Sequence, residues 1–354
     1  MMTRNSGTGA ARRACAVALA MVASEATAGP LAYVANGSAG SVTVFDTATD
    51  TVVGQPIAVG FRPSALVSNR SGSRVYVANA FGDSVSVIED ASQTVIATID
   101  GLRTADGMLL DPSESILYVV TADGVREVDT TTNAIVGDPL PTETGDSLCM
   151  KPIGPLAADH AFRRLYLPVV YCLGDPYNNA GELTVIDLDT HAAIATFEVG
   201  QFPQSIALSP DDARAYLANW LGDSVAIVDT ATLSLESAIP LPVGAHPTAA
   251  VVDPTARKLY VVEEGPDTLV TFDTATFEVV GDAIALGRDP APLELAAGGR
   301  EAYVANLSED SVSHVDLDAH AVIDTIPTGD FPVAVVVAGG EAIFADGFDR
   351  APAR

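Results

Sequence analysis

A few titratable side chains stand where acid–base chemistry would need them. Glu294 interrupts the apolar run PAPLELAA at 290–297. A carboxyl buried among such neighbours has a raised pKa and can serve as acid, base or ligand. His246, Asp289 and Arg62 each precede a proline, and Asp106 lies two residues after Thr104 in a comparable segment. With Glu294 or Asp289 as base, His246 as acid and Arg62 holding an anion, these residue types suit hydrolysis of an ester or lactone. The same polar residues also fit an ordinary wet entrance to a binding cavity, with Asp106, Gln204, His246, Asp289 and Arg62 touching a small polar ligand or a cation.

Other chemistries find less support. The five histidines do not cluster, and a zinc or copper site needs several convergent His or Cys. No metal site or cofactor is therefore expected, except that calcium could be held by the carboxylates and carbonyls of Asp175, Asn178, Asn179 and Glu182. No Gly-x-Ser-x-Gly, Walker loop or dinucleotide fingerprint occurs. Eighteen Lys plus Arg against 46 Asp plus Glu give a net charge of −28, which argues against a nucleic-acid partner. The apolar fraction of 48% argues against disorder.

These residues sit in a repeat. A tetrapeptide led by Tyr recurs as YVAN at 33, YVAN at 76, YVVT at 118, YLPV at 166, YLAN at 216, YVVE at 260 and YVAN at 303. Each is followed by an alternating stretch closed by an acid, at Asp46, Glu89, Asp129, Asp187, Asp229, Asp273 and Asp316. Next come a turn such as DTAT at 46–49, a short apolar run such as TVIATI at 94–99, and a last run usually led by Pro, as in PSALVS at 63 and PQSIAL at 203. All four pieces have strand chemistry, with β-branched residues, period-two alternation and turn residues at both ends. Asp opens the DTAT turn because its carboxylate bonds the backbone two residues on. Four strands per unit, seven units and no helical period give a seven-bladed β-propeller of four-stranded antiparallel blades. WD and kelch signatures are absent.

The Pro-led run is taken as the innermost strand of each blade. The chain then starts at a second strand, Leu31, and ends on an innermost one, FPVAVVV at 331–337. Pairing of these N- and C-terminal strands closes the ring and removes its exposed edges. In this alignment the counterparts of Glu294 are Val67, Leu109, Ala157, Ala207, Val251 and Val336, so a carboxylate replaces small or apolar residues. The entrance residues, one per blade, are Arg62, Thr104, Pro152, Phe202, His246, Asp289 and Phe331. One place further in lie Ser64, Asp106, Gln204 and Thr248. Asn36, Asn79, Asn219 and Asn306, with Asp83, Asp223 and Asp310, recur too regularly for a site and read as turn chemistry. Two loops exceed the repeat, 140–153 and 171–182, on the same face as the entrance residues. They carry one cysteine each, and Cys149 with Cys172 reads as a disulfide worth roughly 3 kcal/mol. Tyr171, Tyr177, Phe81 and Trp220 add aromatic surface there, of the kind that binds a partner or a glycan.

Residues 1–28 read as a signal peptide: Arg4, Arg12 and Arg13, the apolar run CAVALAMVA at 15–23, then Ala26-Thr27-Ala28. No stretch is long and apolar enough to span a bilayer. The expected divisions are 1–28 signal, 29–340 propeller and 341–354 a tail without assignment.

The motif YVAN followed by SVxVIDTAT resembles the YVTN family of β-propeller repeats, with Ala replacing Thr in the tetrapeptide, over about 31–340. The resemblance implies a secreted or cell-surface propeller, and family members mostly lack an assigned activity. The reading is thus an exported, periplasmic or extracellular bacterial monomer. It binds a protein, glycan or small ligand through one loop face without catalysis, and lactonase-like hydrolysis at the channel mouth is the alternative.

Overall fold

The computed structural model describes residues 29–142, 150–152, 154–171, 180–296 and 298–338. The expected signal segment, Cys149, Cys172, Asp175, Tyr177, Asn178, Asn179 and the tail lie outside these residues.

Every described element is a strand, and the strands form seven antiparallel sheets. The second blade is representative: Pro63–Ser68 innermost, then Arg74–Asn79, Ser84–Glu89 and Thr94–Asp100 outermost. The first blade is made from both ends of the chain. Its innermost strand Pro332–Ala338 pairs antiparallel with Leu31–Asn36, setting Tyr33 against Val336. Strands Ser41–Asp46, Thr51–Val52 and Ile57–Ala58 complete it. The expected closure is thus present.

Burial follows position in the blade. Second and third strands are buried almost throughout, as in Arg74–Asn79, because neighbouring blades cover both faces. Such strands read as continuous apolar runs. Thr94–Asp100 alternates exposed and half-buried residues because it forms the rim. The rim strand breaks at VVG: Gly54 and Gly281 have φ of 71° and 74°, which an L side chain adopts only with strain, and the strand resumes at Ile57 and at Ile284.

Seven hydrophobic clusters alternate with the seven blades, each spanning two neighbours. The repeated tyrosine is the wedge in every one. Tyr76 packs with Leu117 and Val119 of the next blade, Tyr216 with Leu259 and Val261, and Tyr303 with Ala32 and Val34 across the closure. Burying a side chain of that size stabilises by roughly 1.5–3 kcal/mol. The phenol ends reach the following blade's turns: the Tyr33 hydroxyl donates to Asp90 at 2.6 Å.

The recurrent Asn and Asp residues act between strands and between blades. Asn306 Nδ2 donates to Ser311 Oγ at 3.0 Å and Ser313 Oγ at 2.9 Å, and Asn79 bonds Ser84 and Ser86 in the same way. Asp83, Asp223, Asp267 and Asp310 each accept the backbone N–H of the next blade's entrance residue, at 2.8–2.9 Å: Thr104, His246, Asp289 and Phe331. These entrance residues, with Arg62 and Phe202, have φ between 48° and 60°. The polar ring therefore staples the molecule together, and reaches further than turn chemistry alone.

Two expectations need correction at the fourth blade. Part of each long loop is strand: Met150–Pro152 pairs with Val169–Tyr171, and the second and third strands lengthen to Arg164–Tyr171 and Ala180–Asp187. The extra residues thus raise the blade above its neighbours. Pro152 is also not the entrance residue, since it lies in this ladder. Gly154, with φ of 70° and followed by Pro155, takes that place.

Candidate functional site

The innermost strands surround a central cavity of about 450 Å³. Ser64, Gln204 and Thr248, one place inside their strands, line it together with Asp106, which precedes the strand Met108–Leu110. Small residues elsewhere in the lining (Gly107, Gly154, Ala249, Ala250, Ala291 and Ala334) leave the space open. The hydroxyls mostly bond across blades and do not face the lumen as free groups. Ser64 Oγ donates to the Ala105 carbonyl at 3.0 Å, Thr248 Oγ1 to the Pro290 carbonyl at 3.0 Å, and Ser205 Oγ accepts the Ala250 N–H at 2.9 Å.

Glu294 lines the same cavity. In register it faces Tyr303, and Val67, Leu109, Ala157, Ala207, Val251 and Val336 face Tyr76, Tyr118, Tyr166, Tyr216, Tyr260 and Tyr33. The seven positions are equivalent, and only one carries a carboxyl. Its six counterparts belong to the clusters between blades. Loss of water pushes the Glu294 carboxyl up to about 8, against partial relief from the Val337 N–H of the closing strand. Its remaining exposure is to the channel. Asp106 is shifted in the same direction, again by burial, despite the Gly154 N–H donating to it at 3.2 Å.

A second cavity of about 320 Å³ adjoins the first and shares Gln204, Thr248, Ala291, Pro292 and Leu307 with it. Trp220, Phe331, Glu264 and Asp289 line this mouth. Trp220 Nε1 donates to Glu264 Oε2 at 2.6 Å, and Ser308 donates to Asp289. Phe202, Trp220 and His246 form a row of tilted rings, with centroids 5.7 and 5.1 Å apart. His246 Nδ1 bonds the Trp220 carbonyl at 3.0 Å, so in the neutral ring that nitrogen carries the proton and Nε2 is the acceptor. Burial pushes the Asp223 carboxyl up, but the His246 and Gly244 N–H groups outweigh that and hold it below the usual value.

The predicted residues therefore divide. Asp106, Gln204 and Glu294 share the channel, and Asp289 and Trp220 line its mouth. Arg62 and His246 line neither cavity. Arg62 is exposed, with its guanidinium 5.1 Å above the Phe81 ring, and Phe81 lies 6.3 Å from Phe61. Tyr171 ends a strand opposite Met150, and Glu182 stands in the following strand opposite Val169. Among the described residues no three His, Cys, Asp or Glu are grouped to hold a metal ion. Glu264 went unremarked in the sequence because it follows Glu263 in an acidic turn, where a carboxylate looks merely solvated.

No family model matches the chain, and no curated protein does. Solved structures do resemble it. The periplasmic gluconolactonase of Pseudomonas aeruginosa has a TM-score of 0.66 at 18% identity, covering 87% of this chain and 99% of its own. A putative 6-phosphogluconolactonase from Bacteroides fragilis gives 0.67 at 15%, over 88% and 99%. The hydrazine synthase of Kuenenia stuttgartiensis gives 0.67 at 19%, over 80% and 91%. At such identities the likeness is one of fold.

Proposed function

We propose that this protein binds a small organic molecule in the central channel, without covalent chemistry, and admits it past Trp220, Phe331 and Asp289. The observation that carries this reading is Glu294. A carboxyl in place of core side chains costs stability, and a residue retained at such cost at one position of seven is explained by a ligand it contacts. The adjoining cavity has the size and mixed apolar and polar lining of small-molecule sites. The test is a ligand library screened by thermal shift on the full chain, since only compounds that bind the folded state raise the melting temperature. Hits should lose their effect in Glu294→Val. A library that shifts both proteins equally, or neither, defeats the reading.

Hydrolysis of a lactone is the second reading. Burial pushes the Glu294 carboxyl up to about 8, which suits a base working in mildly alkaline solution, and two proteins of this fold are named as a gluconolactonase and a putative 6-phosphogluconolactonase. Glu294 would take a proton from water, so turnover should rise with pH toward about 8. That Arg62 and His246 line neither cavity weighs against their use as anion holder and acid. Absence of δ-lactone hydrolysis above the uncatalysed rate at pH 8 rejects this reading.

The YVTN affiliation, export and the disulfide are part of the same proposal. The repeat residues support the first, and the N-terminal pattern supports the second. The register of Met150 with Tyr171 supports pairing of their sequence neighbours Cys149 and Cys172. Thiol titration of the denatured, unreduced protein, after removal of the leader, should find no free thiol.

A further inference from the structure

We infer that the channel ligand is a small organic cation, an ammonium compound with an apolar body, bound between the carboxyl groups of Asp106 and Glu294. The inference rests on the binding reading above and names the ligand's class. It starts from the charges along the path. The mouth presents Glu264 and Asp289, and the channel presents Asp106 and Glu294. Among the described residues no Lys, Arg or His lines either cavity. An anionic ligand, such as a sugar acid or a phosphate ester, would find four carboxyl groups and no counter-charge inside, which the desolvation cost of a buried charge forbids. A cation finds the reverse.

The aromatic residues and the overall charge agree. Trp220 and Phe331 line the mouth, and aromatic faces attract ammonium groups through their ring quadrupoles. The net charge of −28 draws cations toward any opening and raises their rate of encounter. The apolar part of the ligand would lie against Leu66, Met108, Ile206 and Leu293.

Binding of a cation is coupled to a proton. Glu294 alone is mostly protonated at neutral pH, and an ammonium group beside it favours the ionised form, so binding expels a proton. Asp106 takes part in the same exchange, because burial raises its carboxyl too. The flanking strands Pro332–Ala338 and Pro247–Val252 hold no titratable group. On Glu301–Asn306, Tyr303 faces Glu294 while Glu301 is engaged by His314 at 3.2 Å. On Lys258–Glu263, Lys258 bonds Asp318, Glu263 bonds Thr268, and Tyr260 is buried. Among the described residues Asp106 is the other titratable group in the lining.

The experiment uses isothermal titration of the full chain with two matched pairs: choline against 3,3-dimethyl-1-butanol, and benzylamine against benzyl alcohol. Gluconate and glucono-δ-lactone complete the set. At least one ammonium probe should bind tenfold or more tightly than its neutral partner. That preference should fall severalfold in Glu294→Gln and approach unity in Asp106→Asn/Glu294→Gln, and affinity should rise from pH 6 to 8 with proton release, measured as a dependence of heat on buffer ionisation. Equal binding of both members of each pair, or tighter binding of gluconate or the lactone, overturns the cation while leaving a channel ligand in place. Binding by no probe, including the neutral ones, overturns the cation and counts against the binding reading too.

Discussion

With its pKa near 8, the Glu294 carboxyl holds its proton at pH 7 in the folded chain and loses it in the unfolded one. The folded state thus binds the extra proton, and the contribution of this group to stability is fully present below its unfolded pKa, about 4.5, and is lost as pH rises toward about 8. The expected slope is no steeper than about 1.4 kcal/mol per pH unit. Chemical denaturation at several pH values should show this decline in the parent and a flatter course in Glu294→Gln. Glu294→Val, which installs the residue found at three equivalent positions, should melt higher than the parent at pH 8 and above. Equal melting there would mean that water in the channel already solvates the carboxylate. Glu294 was legible in the sequence because a repeat supplies six internal controls for each position. Arg62 and His246 precede the prolines of their innermost strands, yet that position says nothing about which way a side chain turns. His246 turns to Trp220 and Arg62 to Phe81.

Among strands and turns, hydrogen bonds to repeated polar side chains set the order. Asp129 and Asp229 accept from the N–H groups of Thr132 and Thr232 first, and Asp273 from that of Thr276, which holds all three carboxyls below their usual value. Stability from these bonds is present above the ordinary Asp value and fades as pH falls through the lowered one. Replacing the three with Ala should lower the melting temperature at pH 7, and the gap should narrow below about pH 4. An unchanged gap at pH 3 would assign the effect to backbone preference and not to the carboxylates. Asn306→Ala removes a buried amide that joins two strands and should cost about 2–3 kcal/mol in urea unfolding. The turns and tyrosine strands were readable because each has its own residue chemistry. The height of the fourth blade was not: an insertion with Pro, Gly and Asp looks like loop, and only pairing with an equally lengthened partner turns its ends into strand.

For the whole molecule, closure governs cooperativity. Pro332–Ala338 completes the first blade and supplies Val335 and Val337 to the cluster that joins it to the last. Ending the chain at residue 330 leaves Leu31–Asn36 with an open edge and opens two clusters at once, so the truncated protein should lack a single sharp melting transition. A cooperative melt at the parent temperature would show that the ring holds without this strand. The number of blades followed from counting tyrosines. The identity of the closing pair needed the order of strands within a blade, which the Pro-led runs supplied.

A ring sealed by strands from its two ends also constrains the order of folding. During synthesis Leu31–Asn36 is made long before Pro332–Ala338, the strand that covers its inner edge. Throughout that interval the amides of that edge have no partner and Val34 lacks Val335 and Val337, and contacts so distant in sequence form slowly. Until then the edge is a template on which another nascent chain could pair.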